Sequence, residues 1–132
     1  MARMSTNAAQ RSAIRLSGLL LGVGILHFVR PELFDGIVPR ALPGDARTYT
    51  YASGVAEIAV AGALAAPRTR RLGGSLAAAL FLAVFPANLQ MAATWLRSPK
   101  LSPAAKALSL ARLPLQIPLV TEALKVRRTS VR

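Results

Sequence analysis

The chain has 132 residues, of which 53% are hydrophobic and only 17% are charged, yet its formal net charge is +12. The Lys and Arg residues stand in short clusters between long apolar runs and do not spread along one polar face. This pattern is typical of a membrane protein and argues against a nucleic-acid partner. The lack of cysteine excludes disulfides and thiol redox chemistry, and the single His27 excludes a histidine-rich metal cluster, so we expect no metal site.

Four apolar stretches follow one another along the chain, and each is predicted to be a helix that crosses a bilayer. A helix needs about 20 residues to cross about 30 Å of hydrocarbon, and long Ala- and Leu-rich runs without strict alternation are not typical of strands. A soluble helix bundle would repeat charges along each helix, and residues 72–96 carry none. We therefore predict an all-α, single-domain bundle of four transmembrane helices, at residues 12–29, 48–66, 72–96 and 104–126.

The loop between the first two spans, RPELFDGIVPRALPGD, combines three prolines with several large apolar side chains. This mixture predicts a short structured segment that lies at the membrane interface. Farther along, Pro86, Pro114 and Pro118 lie inside predicted spans, where we favour ordinary helix kinks over exposure of polar backbone. Gly18 and Gly22, one turn apart, would permit another helix to approach the first span closely.

Basic residues indicate how the spans are oriented. Clusters of Arg and Lys occur in the N-terminal segment, in the loop at residues 68–71 and at the C-terminal end, and four spans would place all three on one side. The first loop mixes both signs of charge, and the third loop is basic but weaker. The positive-inside rule therefore predicts a multi-pass protein with both termini in the cytoplasm.

Each predicted span also brings a polar residue to a similar depth in the outer half of the bilayer. His27 lies in the last turn of the first span. Glu57 lies about nine residues into the second span, Asn88 about seven residues from the end of the third, and Arg112 about eight residues into the fourth. An unpaired charge at this depth costs about 2.5–3.5 kcal/mol on insertion scales, so Glu57 and Arg112 are expected to pair inside the bundle.

Helical spacing extends this patch into a predicted polar pocket. Ser53 lies one turn before Glu57, and Gln116 lies one turn after Arg112 on the same face. The predicted ligand-binding residues are His27, Ser53, Glu57, Asn88, Arg112 and Gln116. The alternative is that the ion pair fixes helix register and binds nothing.

The runs GILHFVRPELFDGIVPRALP, YASGVAEIAVAGALAAPRTRR, FPANLQMA and ARLPLQIPLV together resemble the DoxX-like family of small bacterial membrane proteins, over roughly residues 16 to 126. The resemblance implies a four-helix membrane bundle in the bacterial cytoplasmic membrane. Some relatives are linked to quinone-dependent sulfur oxidation and others to membrane complexes that handle oxidative stress, but no catalytic residue comes with the motif.

Three functions are consistent with these features. The first is an accessory subunit without catalytic activity of its own, which binds a small lipophilic molecule such as a quinone through Arg112 and His27. Its expected partners are the lipid bilayer, an oxidoreductase and other copies of this chain. The second is a proton-coupled exporter that uses Glu57. The third is the membrane subunit of a quinone-linked oxidoreductase, which would need a redox partner because the chain has no flavin, haem or metal motif.

Overall fold

The structure is a computed structural model, and it describes residues 2–130. The last two residues of the basic C-terminal segment therefore lie outside the described part. Within that part every regular element is a helix and no strand occurs, which confirms the all-α prediction. The elements are α1 (Ala2–Val29), α2 (Glu32–Asp35), α3 (Ala46–Ala65), α4 (Arg70–Ala83), α5 (Phe85–Arg97), α6 (Pro103–Arg112) and α7 (Gln116–Thr129).

Two of the predicted spans are bent helices. Between α4 and α5 only Val84 departs from the helix, and between α6 and α7 three residues form a turn at 113–115. A proline lies at each point, since Pro86 follows the first bend and Pro114 lies within the second. Proline has no N–H to donate to the fourth residue before it, and its ring clashes with that carbonyl, so the helix axis changes direction there. Two of the three predicted kinks are thus found, whereas Pro118 lies in the first turn of α7 and the helix is not interrupted there.

One half of the bundle, here called the closed half, is built from α1, α3, α4 and α7. Its core is mostly apolar and rich in alanine, and Ser12 of α1 is buried as well. Glycines let the helix backbones touch, because a Cβ atom on Gly73 would lie 2.7 Å from the backbone nitrogen of Leu64, and one on Gly74 would lie 2.7 Å from that of Arg127. The core residues are Ala13, Leu16, Leu20, Val60, Ala61, Leu64, Ala77, Ala78, Phe81, Ala123 and Val126.

The sequence pointed to a different glycine pair for close helix packing. A Cβ atom on Gly18 or Gly22 would meet nothing within 4 Å, so neither glycine lies at a helix contact within this chain. The expectation that these two residues mediate close packing is therefore wrong for the packing of the chain on itself. Helix α1 instead approaches α3 most closely at Gly24.

The turn from α3 to α4 satisfies its own backbone. The guanidinium of Arg70 donates from Nε to the carbonyl of Leu64 and from Nη2 to that of Ala65, both at 2.9 Å. The hydroxyl of Thr69 donates to the carbonyl of Ala63 at 2.8 Å. Carbonyls in the last turn of a helix have no partner within the helix, so these side chains act as a C-terminal cap and hold the hairpin closed.

The other half, here called the open half, contains the second part of the bundle: α2, the first three turns of α3, α5 and α6. Helices α5 and α6 pack chiefly against each other, while α1 and α3 form the facing side. Helix α6 begins at Ser102, whose hydroxyl accepts a hydrogen bond from the amide of Ala105, and Pro103 occupies the first helical position. The bends in the two long helices therefore separate a packed half from a half with space inside.

Two helical stretches in residues 2–130 are long and apolar enough to cross a membrane, by length and composition: Gln10–Val29 of α1, and Arg70–Arg97, which joins α4 and α5. Helix α3 is not one of them: its first turns carry hydroxyl side chains, and Glu57 lies farther along. Helices α6 and α7 are each shorter than a span. Two of the four predicted spans thus meet this criterion.

Candidate ligand-binding site

The open half encloses a cavity of about 900 Å³, within the size range of small-molecule sites. Most of its lining is apolar and comes from the segment between α1 and α3 and from α4, α5 and α6, with Val38, Leu80, Met91 and Leu108 among the contributors. Five of the six predicted site residues line it, since His27, Ser53, Glu57, Asn88 and Arg112 all face this space. The sixth, Gln116, is buried and does not line the cavity.

Glu57 is buried, with 7% of the residue exposed. Its Oε2 atom lies 3.3 Å from Nδ1 of His27 but has no hydrogen-bond partner among the described residues. The reason is that Nδ1 donates its hydrogen to the carbonyl of Val23 at 2.7 Å. This carboxyl oxygen is closed off within the protein and left without a donor, while Glu57 itself lines the cavity.

Two glycines bring His27 and Glu57 together. A Cβ atom on Gly54 would lie 2.9 Å from Cβ of His27, and one on Gly24 would lie 3.2 Å from Cβ of Glu57. Each glycine also faces the carbonyl oxygen of the other. Helices α1 and α3 thus cross in direct backbone contact at this level, and the imidazole and the carboxyl project from the crossing point.

A second polar group lies on the other side, around Gln116. Its Oε1 atom accepts from Nη1 of Arg112 at 2.9 Å and from Nδ2 of Asn88 at 3.4 Å, and its Nε2 atom donates to the carbonyl of Phe81. Phe81 lies in the last turn of α4, where carbonyls have no partner within the helix because the helix bends at Val84. The amide of Gln116 therefore links α4, α5 and the α6–α7 helix.

The predicted ion pair between Glu57 and Arg112 is wrong. In the described part of the chain, the only basic group within 4 Å of the Glu57 carboxyl is His27. The two ion pairs that join an arginine to a carboxylate in this part are Arg30–Glu32 and Arg47–Asp35. Gln116, one turn along from Arg112, holds the guanidinium close to its own helix, and α6 lies with α5 and away from α3. Both charged groups still face the same cavity, from different helices.

The segment between α1 and α3 covers this cavity, although the sequence did not assign it to the site. In this cover, residues 30–45, the ring of Phe34 stacks on His27 with the ring centres 3.6 Å apart. Thr50 donates to Oδ1 of Asp35 at 2.7 Å, and Arg47 donates to Oδ2 at 2.9 Å. The Thr50 hydroxyl, and then Arg47, lower the pKa of Asp35 below its usual value. These contacts attach the cover to α1 and α3.

Aromatic residues also line the cavity. Trp95 and Tyr49, at the ends of predicted spans, both line the cavity, and the hydroxyl of Tyr49 donates to the carbonyl of Pro43 in the cover. In the sequence, the apolar side chains of the proline-rich loop indicated that this segment packs against another part of the protein. Among the described residues, no group of His, Asp and Glu side chains is placed to hold a metal ion.

The fold and site define an all-helical protein with a covered, mostly apolar cavity that contains two separate polar groups. A family model described as a domain of unknown function (DUF8561) matches residues 16–127, and the chain belongs to this family. Neither a curated protein nor a solved structure matches the chain.

Proposed function

We propose that the protein crosses a bilayer with four helices, namely α1, α3, the bent α4–α5 helix and the bent α6–α7 helix. The support is the outer surface, where large apolar side chains are exposed along all of them. Ile14, Val55, Leu82, Leu110 and Ile117, from five of the helices, are 47% to 70% exposed. Water-soluble proteins rarely leave such residues in large contiguous patches, whereas lipid tails solvate them.

The two most apolar stretches support the same proposal. Only 39% of the apolar window in Gln10–Val29 and 33% of that in Arg70–Arg97 is buried within the protein. The core helix of a soluble protein would be mostly buried, because water would otherwise contact its apolar side chains. The other two spans, α3 and the α6–α7 helix, fit because Glu57 and Arg112 line the interior cavity and Gln116 is buried, so these three groups do not face the outside.

The distribution of charge supports an orientation with both termini in the cytoplasm, in a bacterial cytoplasmic membrane. The end of α3, the start of α4 and the end of α7 lie together, as the contacts of Gly73 and Gly74 show. This end carries Arg68, Arg71, Arg127 and Arg128, whereas the cover at the opposite end mixes Arg and acidic residues. Cytoplasmic loops carry the excess of Lys and Arg.

We infer that the cavity binds a small lipophilic molecule, with the head group of a quinone as the best-fitting type. The single observation that carries this proposal is an apolar cavity of about 900 Å³ into which Arg112 and His27 project. A guanidinium donates strong hydrogen bonds to carbonyl oxygens. The chain would act as an accessory subunit, without catalysis of its own, beside an oxidoreductase that supplies the redox chemistry. Kinship with the DoxX-like family, proposed from the shared motifs, points the same way.

Native mass spectrometry of gently solubilised protein tests this proposal, because it reports bound molecules and bound partners together. We expect a lipophilic carbonyl compound bound to the wild-type protein, and about tenfold less of it on Arg112→Gln, since one charge-assisted hydrogen bond is lost. Arg97→Gln, which changes an exposed arginine at the end of α5, is the matched control and should retain the compound. Detection of phospholipid and detergent alone on all three proteins would contradict the proposal.

A proton-coupled exporter is the second candidate, and one observation favours it. Because Glu57 does not pair with Arg112, no arginine competes with a cationic substrate for the carboxylate. In a strain whose resistance to lipophilic cations depends on this protein, an exporter predicts that Glu57→Gln abolishes resistance and that Glu122→Gln, on α7, preserves it. Unchanged resistance in the Glu57→Gln strain would remove this candidate.

A further inference from the structure

We infer that the molecule bound in the cavity carries two polar ends, a hydroxyl that contacts Glu57 and a carbonyl oxygen that contacts Arg112, joined by an apolar ring. This inference rests on the proposed lipophile-binding function and changes the class of ligand, from a quinone head group, which has no hydroxyl when oxidised, to a lipophilic hydroxyaryl carbonyl compound. Neither end of such a molecule alone accounts for both polar groups of the cavity.

The first step concerns the carboxyl group of Glu57, which lines the cavity. Its Oε2 atom is closed off within the protein, so Oε1, which takes part in no hydrogen bond among the described residues, is the oxygen that a ligand reaches. Leaving a buried carboxyl oxygen without a hydrogen bond is costly, so a group that supplies one is bound more tightly there. His27 is the nearest polar neighbour, but its Nδ1 hydrogen is directed to the carbonyl of Val23. A hydroxyl fits this position in either protonation state of Glu57, because it donates to a carboxylate and accepts from a carboxylic acid.

The second step concerns Arg112. A guanidinium has five N–H donors and no acceptor, and in the described part of the chain one side chain, Gln116, accepts from it. The remaining donors need an acceptor, and Arg112 lines the cavity half-buried. A carbonyl oxygen of the ligand supplies that acceptor. A cationic ligand would instead be repelled by this guanidinium, which distinguishes the inferred ligand from the substrate of an exporter.

The third step concerns the space between these groups. Glu57 and Arg112 project from α3 and α6 and do not come within ion-pair distance of each other. Most of the lining around them is apolar, with Ala56 on α3 and Leu108 on α6. A flat apolar ring with oxygen atoms at its two ends satisfies both polar groups and leaves the apolar wall covered.

The single tryptophan of the chain makes this inference measurable, because Trp95 lines the cavity and its fluorescence reports occupancy. The probes are heptyl para-hydroxybenzoate, which has both oxygen groups, its para-methoxy analogue, which lacks the donor, and para-octylphenol, which lacks the carbonyl. Quenching is titrated on the full chain in detergent, with protein-free micelles as the blank. We expect the hydroxybenzoate to bind about tenfold more tightly than either of the other two, since each lacks one hydrogen bond to a charged group.

Variants assign each end of the probe. Glu57→Gln should bring the hydroxybenzoate and its methoxy analogue to within about threefold of each other, because the charge-assisted bond is lost. Arg112→Gln should do the same for the hydroxybenzoate and the phenol. Glu122→Gln carries the same change on α7, away from the cavity lining, and should preserve all three affinities.

Failure of this inference and failure of the proposed function give different results. Equal quenching of wild-type protein by the hydroxybenzoate and its methoxy analogue would overturn the hydroxyl contact and leave ligand binding intact. Tighter binding of para-heptylbenzylamine, a cation of similar size, would overturn the two-ended ligand in favour of an exporter substrate. No quenching by any probe would contradict the proposed lipophile site itself.

Discussion

The closed and open halves are formed by the same long helices and differ in what lies between them. In the closed half, glycine and alanine bring backbones into contact, and the core is built mainly from apolar side chains. In the open half, prolines bend α4–α5 and α6–α7, and the space that results is lined by amide, imidazole, carboxyl and guanidinium groups. Small residues thus close a helix bundle, and bends open it, within one short chain.

Polar residues follow the same division. A buried amide or carboxyl weakens a tightly packed core unless each of its atoms finds a partner. Gln116 lies at the boundary between the halves and meets this requirement through Arg112, Asn88 and Phe81. Glu57 does not meet it fully. The difference suggests that the Gln116 network maintains the structure, whereas Glu57 is available for a ligand.

The largest expected effect comes from adding bulk to the closed half. In Gly74→Val the new side chain would meet the backbone of α7, with atoms of Ala123 and Arg127 less than 3 Å from the Cβ position. We expect a loss of about 3 kcal/mol of stability, because backbone atoms cannot move aside as a side chain would. Thermal unfolding followed by circular dichroism in detergent measures it. Gly18→Val, where nothing lies within 4 Å, is the control, and equal unfolding temperatures for both variants would contradict the packing described here.

An intermediate effect is expected at the boundary between the halves. Gln116→Leu keeps the size of the side chain but leaves the carbonyl of Phe81 and the guanidinium of Arg112 without this partner. The expected loss is about 2 kcal/mol, the cost of leaving buried polar groups unsatisfied. The same unfolding measurement applies, and Ile117→Ala, at a neighbouring position that is 70% exposed, should have little effect. An unchanged unfolding temperature in Gln116→Leu would show that the network does not stabilise the bend.

The smallest expected effect concerns the cover and depends on pH. Because contacts with Thr50 and Arg47 lower the pKa of Asp35 in the folded protein, they stabilise the docked cover above the usual pKa of an aspartate. This stabilisation is lost as the pH falls through the lowered value, so amide hydrogen exchange in residues 30–45 should speed up in acid relative to neutral pH, after correction for intrinsic rates.

Thr50→Val removes the first of those contacts and provides the test of the pH effect. It should raise exchange in the cover at neutral pH and reduce the difference between neutral and acidic conditions. Thr48→Val, an exposed position in the same turn of α3, is the matched control. If Thr50→Val and wild-type protein exchange alike at every pH, Asp35 does not attach the cover.

The sequence predicted the helical class and placed five of the six site residues around one cavity, since both results depend on apolar run length and on counting residues along a helix. It missed the partners of Glu57 and Arg112. Depth counting treats helices as straight, but the bends near Pro86 and Pro114 move α5 and α6 to one side. Arg112 therefore contacts Gln116, one turn along its own helix, and not the carboxyl of Glu57 on α3.

The cover could not be placed from sequence for a related reason. Its stacking of Phe34 on His27 joins residues from two elements, and no periodic pattern encodes such a contact. Its prolines and apolar side chains indicated order but not what the segment packs against. The sequence likewise indicated that helices contact each other closely at glycines, but not at which glycines. Every glycine in an apolar helix gives the same signal as Gly18 and Gly22.

The cap at the end of α3 has a consequence for where the hairpin between α3 and α4 can sit. With Arg70 and Thr69 bound to the carbonyls of Ala63, Leu64 and Ala65, and the amide of Thr69 bound to that of Ala66, the turn needs few water molecules to complete its hydrogen bonds. Under the proposed topology this turn lies at the edge of the hydrocarbon, where water is too scarce to complete backbone hydrogen bonds. The 20 residues of α3, about 30 Å long, would then match a membrane of ordinary thickness without drawing the bilayer inward.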